Sequence, residues 1–356
     1  MKTILYAWEI GDGYGHLQNL TMAARTCVRY GNPVFAIPEG EPLAEAYIRA
    51  RGFTEIETFK RPETALRPDG WAAQSFADVL ATYAYGNADR MAPHVAEIQS
   101  LITRISPVLT VAECAPTFAM LAEPCVAIGT SWGLPDASPV MPLYLWSQSL
   151  QGATESERLL LVAQRVLPAL KACHTFAECF QPADTLPLCY PGMDVWGSSR
   201  GVGPARACTV STPGETVFAY LDAQYPAIET LLAVLPYNAR VHVKGRTCEL
   251  FDLDDEMARA SIVIHHGSAG IAHAALSAGR PQVCFPWHVE NAANAYKLHA
   301  LGVAAMVGAG EPERFAEQIR DTPESVADHA QAVASAIGDS YPGLPAVEAA
   351  VGRHLR

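Results

Sequence analysis

Ile262, Val263 and Ile264 are three β-branched residues in a row, followed at once by His265, His266, Gly267, Ser268, Ala269 and Gly270. A short, uninterrupted β-branched run reads as a strand buried on both faces, which is the habit of parallel sheets. Small residues and Leu276 then read as a helix, stopped by Gly279 and Pro281. The stretch is thus a strand, a glycine-containing turn and a helix N-terminus. Free N–H groups and the positive end of the helix dipole point into such a turn, so it suits an anion. Glycine lets backbone approach a phosphate, and a histidine at the same corner can donate to a phosphate oxygen.

A second corner follows. Residues 281–285 read as another strand, and Pro286 to Asn291 as the loop into a helix spanning Ala292 to Ala300, closed by Gly302. Ligands in open α/β sheets bind at strand C-termini. Glu290 and Asn291 set a carboxylate beside an amide, which suits sugar hydroxyls.

The chain opens with the same grammar. Residues 3–10 read as a strand, Gly11-Asp12-Gly13-Tyr14-Gly15-His16 as a turn, Leu17 to Tyr30 as a helix, and residues 33–37 as a second strand. The turn admits a dinucleotide reading, with Glu39 as the ribose acid, although His16 stands where the third fingerprint glycine belongs. Further on, residues 108–112 read as a buried strand ending at Glu113, and residues 126–129 as another. Residues 71–80, 88–105 and 155–172 read as helices, residues 133–153 as a lid or acceptor loop, and residues 196–214, rich in Gly, Pro and Ser, as a linker. In the second half, residues 312–319 and 323–337 read as two helices. Lys244-Gly245-Arg246 is a cationic loop, with Arg246 a possible donor contact.

A net charge of −12 speaks against nonspecific nucleic-acid binding and anionic membrane surfaces. No apolar run reaches transmembrane length. The first residues read as a strand rather than a signal peptide, and the expected location is cytoplasmic. Nine scattered cysteines without a C-x-x-C pair read as reduced core thiols. The nearest approach to a metal cluster, Cys173-His174 with Cys179, lacks ligand spacing. Composition sets no oligomeric state.

Taken together, the two corners from His265 to Gly302 resemble the C-terminal signature of bacterial GT-B nucleotide-sugar glycosyltransferases of the UDP-glycosyltransferase superfamily. That signature reads roughly H-x-G-G-x-G-T-x-x-E-A-L-x-x-G-x-P, then P-x-x-x-D-Q-x-x-N-A. His266, Gly267, Gly270, Ala275, Leu276, Gly279, Pro281, Pro286, Asn294 and Ala295 carry the resemblance. Ser268 replaces a glycine, Ile271 a threonine, Ala274 a glutamate that reaches the donor ribose, and Glu290-Asn291 an Asp-Gln pair. Residues 8–16 resemble the bacterial W-E-L-G-G-G-x-G-H opening, Glu113 to Thr117 a D-F-A-P-T-A run, and residues 126–132 a V-x-I-G-x-G-F segment.

The resemblance implies an α/β GT-B fold, two Rossmann-like domains facing across a cleft. The acceptor domain would span 1–200, the donor domain 205–340, and a last helix at 341–356 would return to the first domain. It implies inverting sugar transfer to a small-molecule acceptor from a UDP- or dTDP-sugar. That donor is a co-substrate, with no cofactor, metal or nucleic-acid partner. His16 would be the base and Glu113 its orienter. His266, Gly267, Ser268, Ala269, Gly270, Glu290 and Asn291 would hold the donor, with Gly13, Gly15, Arg246 and His265 as further candidates. An inert nucleotide-sugar-binding protein and a GT-B sugar-nucleotide epimerase are the alternatives.

Overall fold

The computed structural model describes residues 2–11, 14–62, 76–85, 87–135, 184–197, 199–225, 227–246, 251–308, 314–338, 340–341 and 343–356. The expectations for Gly13, residues 63–75, most of the loop at 133–153, the helix at 155–172 and the Cys173–Cys179 segment lie outside these residues.

The chain divides into two compact units. One comprises Met1–Cys189, Arg200–Ala205 and Pro342–Arg356; the other comprises Tyr190–Ser199 and Arg206–Tyr341. Where a single linker was expected, the chain changes unit three times, after Cys189, after Ser199 and after Ala205. Val202 N donates to Pro187 O and Gly203 N to Cys189 O, which lays 200–205 along the first unit. Tyr190 instead packs edge-on against His273 and Tyr341 in the second.

In the first unit β1 (Thr3–Trp8), β2 (Asn32–Pro38), β3 (Ile56–Phe59), β4 (Leu109–Glu113), β5 (Cys125–Gly129) and β6 (Asp184–Pro187) form one parallel sheet, in the order β3-β2-β1-β4-β5-β6. The helices are α1 (Tyr14–Cys27), α2 (Pro42–Arg49), α3 (Phe76–Thr82), α4 (Ala88–Ile105) and α5 (Pro116–Leu121). Alternation explains why β1 is apolar throughout. Ile4, Tyr6 and Trp8 join Leu17, Leu20 and Ala24 of α1 in one core. Leu5 and Ala7 face the other way, toward Ile98 and Phe118. Burial of Leu17 and Leu20 stabilises the docked α1 by about 1.5–3 kcal/mol each. That docking fixes the direction of the helix's first turn, where His16 sits.

In the second unit β7 (Thr216–Asp222), β8 (Ala239–Lys244), β9 (Ala260–His265), β10 (Gln282–Cys284) and β11 (Ala304–Met306) form a parallel sheet in the order β11-β10-β9-β7-β8. Its helices are α6 (Ile228–Val234), α7 (Leu253–Arg259), α8 (Ala269–Ala278), α9 (Val289–Ala300) and α10 (Arg314–Ile337). The last helix, α11 (Leu344–Leu355), belongs to the first unit, where Val347, Ala350 and Val351 enter the α1 core.

The two helices expected at 312–319 and 323–337 are one 24-residue helix, α10. Phe315, Ile319, Thr322, Ala330 and Ala334 make a buried stripe on both sides of Pro323. Docking that stripe outweighs the roughly 3 kcal/mol an interior proline costs. Among the described residues, no helix is long and apolar enough to cross a membrane.

Candidate active site

The order of the first sheet changes direction beside β1, with β2 and β3 on one side and β4 to β6 on the other. Loops leaving strands at such a switch part from each other and open a crevice beyond the strand ends. His16 reaches it from the first turn of α1, and Glu113 from the end of β4, paired in register with Trp8. His16 Nδ1 lies 2.5 Å from Glu113 Oε2. An ionised carboxylate only accepts, so in the neutral ring Nδ1 carries the hydrogen and Nε2 is the nitrogen able to take up a proton.

Glu113 is 1 % exposed and His16 19 %, so the acid is sealed in while the base keeps access to solvent. Asn19 Nδ2 donates to the other oxygen, Oε1, at 3.0 Å. Trp8 stacks on the imidazole, with centroids 5.8 Å apart and planes at 20°. Two glycines make the pair possible. A Cβ at Gly129, whose φ is +134°, would stand 2.8 Å from Glu113 Oε1. This is how the site takes a glutamate where the resembled group has the shorter aspartate. A Cβ at Gly11, φ +87°, would stand 2.6 Å from His16 Nε2. Gly15 is exposed and faces open space.

The second sheet changes direction at β7, between β8 and β9. Beyond these strand ends, the His266 ring packs on Tyr220, centroids 5.5 Å apart. Asp222 closes β7, with Lys244 Nζ 3.8 Å from its Oδ2. Gly267, φ +93°, lies so close to the Asn291 carbonyl that a side chain has no room. Asn294 Nδ2 donates to Gly267 O at 2.9 Å. The two corners read separately from the sequence are therefore one joined structure. Ser268 is the N-cap of α8, yet its hydroxyl makes no cap bond. Ser268 Oγ, His266 Nδ1, Asn291 Oδ1 and Trp287 Nε1 are all buried without a hydrogen-bond partner among the described residues. Such groups cost about 1–3 kcal/mol each when left unmet, so several at one corner mark a place built for a polar ligand. Ala269 is buried at the first turn of α8, while Gly270 is exposed, with open space where a Cβ would stand. Glu290 is half-buried in the first turn of α9.

The further candidates His265 and Arg246, and the signature departure Ala274, have the following surroundings. His265 is fully buried: its Nε2 faces Gln282 Oε1 at 2.8 Å and its Nδ1 accepts from Gly267 N at 3.1 Å. It props the turn from beneath. Arg246 pairs with Glu229 at 2.7 Å on the surface. Ala274 packs with Phe218, Met257 and Val263 in the core, so the methyl fills a space that a glutamate would disrupt. Asn19 is the site residue that motif reading passed over; Asn294, Gly11 and Gly129 stood in the motifs without a role assigned to them. Asn19 was accessible, since i and i+3 share a helix face.

Burial lowers the pKa of His265 to about 3, and those of His266 and His273 to about 4. Smaller opposing effects act on His266: Asp222 raises it, while His288 and Lys244 lower it. These rings are neutral near pH 7. The unfolded chain takes up protons near pH 6.5 and the folded unit only near pH 3–4, so stability falls as pH drops through that window. Each histidine contributes a slope of at most about 1.4 kcal/mol per pH unit. The urea midpoint of the protein is expected to fall steadily from about pH 6.5 to about pH 4.5, and a flat profile contradicts the buried neutral rings. Among the described residues, no three His, Cys, Asp or Glu side chains converge as a metal site.

Residues 217–340 match the family model described as "Erythromycin biosynthesis protein CIII-like, C-terminal domain". No curated protein matches the sequence. The calicheamicin glycosyltransferase CalG4 is 16 % identical, with a TM-score of 0.68 over 99 % of this chain and 98 % of that one. The glycotransferase of kitacinnamycin is also 16 % identical, with a TM-score of 0.67 over the same shares. Spinosyn rhamnosyltransferase SpnG, 15 % identical, aligns over 100 % of both chains in complex with spinosyn aglycone, with a TM-score of 0.60. Its complex with thymidine diphosphate scores 0.57 over 99 % of both. At these identities the likeness is one of fold, and that fold is GT-B.

Proposed function

We propose that this chain, which has the GT-B fold and an EryCIII-like C-terminal domain, is a glycosyltransferase that moves a sugar from a nucleoside diphosphate sugar to a hydroxyl or amine of a small acceptor. The observation that carries the reading is the His16–Glu113 pair. A partly open imidazole, held at Nδ1 by a sealed carboxylate so that Nε2 is the basic nitrogen, is arranged to remove a proton. An inert binding protein has no use for that arrangement. Gly11 clears space for His16, which leaves the glycine turn a role other than cradling a dinucleotide.

The acceptor proton passes to His16 Nε2. The acceptor oxygen or nitrogen forms a bond to the anomeric carbon, and the carbon–oxygen bond to the diphosphate breaks. The electron pair leaves with the nucleoside diphosphate. One displacement inverts the anomeric centre. Glu113 stabilises the imidazolium formed. On the other unit, His266, Ser268 and the N-terminus of α8 receive the diphosphate, and their polar groups and helix dipole offset its charge without a metal. Glu290 and Asn291 take the sugar hydroxyls. The leaving group is uridine or thymidine diphosphate, the latter being a ligand of the spinosyn enzyme.

Thermal shift with UDP, dTDP, GDP and ADP tests the donor half. A ligand at 100 times its Kd adds about 2.7 kcal/mol, so dTDP or UDP is expected to raise Tm. No shift with any of the four removes the reading. His266→Ala is expected to weaken binding of the stabilising nucleotide by about 1.5–3 kcal/mol, the range for a hydrogen bond to a charged group. An unchanged Kd by calorimetry takes His266 out of the site.

A further inference from the structure

One guanidinium ties together the loop against which His16 lies. Arg61 Nε donates to Glu9 O at 3.0 Å, and Nη2 donates to Gly11 O at 3.1 Å. Nη1 pairs with Glu41 Oε1 at 3.0 Å. The same group stands 4.9 Å from the centre of the Trp8 ring, the ring that stacks on His16. Trp8 is in turn closed onto the loop by its Nε1–H, which donates to Ile10 O at 2.8 Å. Arg61 therefore reaches the imidazole by two routes. One runs through Gly11, where a Cβ would stand 2.6 Å from His16 Nε2; the other runs through Trp8, which stacks on the ring.

We propose that Arg61 is a positioning residue for His16: its planar fork sets the loop and the indole that hold the imidazole with Nε2 presented. The inference rests on the reading of His16 as the proton acceptor. Planarity is the point, since two carbonyls and an aromatic face are met at once. A lysine ammonium keeps the charge but lacks the fork. The surroundings argue against Arg61 being only a surface ion pair, because two of its three described hydrogen bonds go to loop carbonyls rather than to Glu41.

The test uses the full chain with Arg61→Met, Arg61→Lys and His16→Gln. The activity probe is acceptor-free hydrolysis of dTDP-glucose and UDP-glucose, followed as nucleoside diphosphate release. The second readout is the Cε1–H spectrum of 13C-labelled histidine, with the His16 signal identified by its loss in His16→Gln. Arg61→Met is expected to lower kcat about 10–100-fold, the scale of a misplacement near 1 Å, with the donor KM within about twofold. Its His16 signal should shift or broaden. Arg61→Lys should recover less than about a tenth of the lost rate.

A wild-type kcat in Arg61→Met overturns the proposal, as does an unmoved His16 signal or full rescue by lysine. If Arg61→Met does not fold, Arg61→Lys is read in the same two ways: a lowered kcat with a moved His16 signal supports the proposal, and wild-type behaviour in either overturns it. Should His16→Gln hydrolyse donor normally, the proposed function fails, and the His16 spectrum alone then decides for or against Arg61.

Discussion

His16→Ala is expected to lower turnover about 10²–10⁴-fold, the usual contribution of a positioned general base, with nucleoside diphosphate affinity unchanged. Affinity is spared because the groups proposed to receive the nucleotide, around His266 and Ser268, belong to the other unit. Glu113→Gln is expected to fall in the same range. The amide keeps the shape, but it offers His16 Nδ1 either a neutral oxygen or a competing N–H donor. The imidazolium then loses its counter-charge. Gly129→Ala approaches that result from another direction, because its Cβ would stand 2.8 Å from Glu113 Oε1 at a φ of +134°. Steady-state kinetics of the three variants, with dTDP or UDP calorimetry beside them, make the check. Wild-type turnover in His16→Ala would falsify the assignment of the base.

The second large effect concerns stability. Glu9, one residue past β1, is fully buried. Its oxygens accept from Thr117 N at 2.8 Å, Thr117 Oγ1 at 2.6 Å, Tyr85 Oη at 2.7 Å and His94 Nε2 at 2.7 Å. His94 Nδ1 faces the Lys60 carbonyl at 2.9 Å. With an acceptor at each nitrogen, the ring is best met as an imidazolium. Its pKa is raised: burial works against this, but the Glu9 hydrogen bond and charge, the Lys60 carbonyl and Glu97 together prevail. Removing one member takes from its partner the bond and counter-charge that burial makes necessary, at a cost of about 3–5 kcal/mol. His94→Ala and Glu9→Gln are expected to unfold about 6–20 °C below wild type, at about 2–4 °C per kcal/mol for a unit of this size.

The pH dependence has a definite sign. A raised folded pKa contributes stability that is fully present below about pH 6.5 and is lost as pH rises through the folded value. The gap between wild type and His94→Ala should therefore be wider at about pH 6 than at about pH 9. An equal gap at both would mean that the pair is a neutral hydrogen bond. His265, His266 and His273 act in the opposite sense, so the two sets of histidines destabilise the chain at opposite ends of the pH range.

What the sequence disclosed and what it withheld have physical causes. The β9–α8 corner was readable because a β-branched run, a glycine turn and a helix stop are local signals. His16 and Glu113 were readable as candidates for the same reason. Their pairing came only from the resemblance, because local signals carry no trace of the strand order that sets β4 beside β1. Asn294 was visible only as a motif letter. Its bond to the Gly267 carbonyl exists because two corners, separate in sequence, lie side by side. His265 and His266 are adjacent and identical in type, and only the fold separates the ring that bonds Gln282 and Gly267 from the one that packs on Tyr220. The length of α10 was hidden by Pro323, whose local cost is overruled by a buried stripe that no short window contains.

The placement of α11 has a consequence for synthesis. The unit that begins with β1 is not contiguous; it includes 343–355, where Val347, Ala350 and Val351 complete the core around α1. Lys2 Nζ even donates to Leu355 O at 2.7 Å. On the ribosome, residues 206–341 emerge as an uninterrupted block able to close its own sheet while the first unit still lacks a wall. The half that starts first is completed last. During that interval the apolar residues of α1 lack the cover that Val347, Ala350 and Val351 give them in the finished fold.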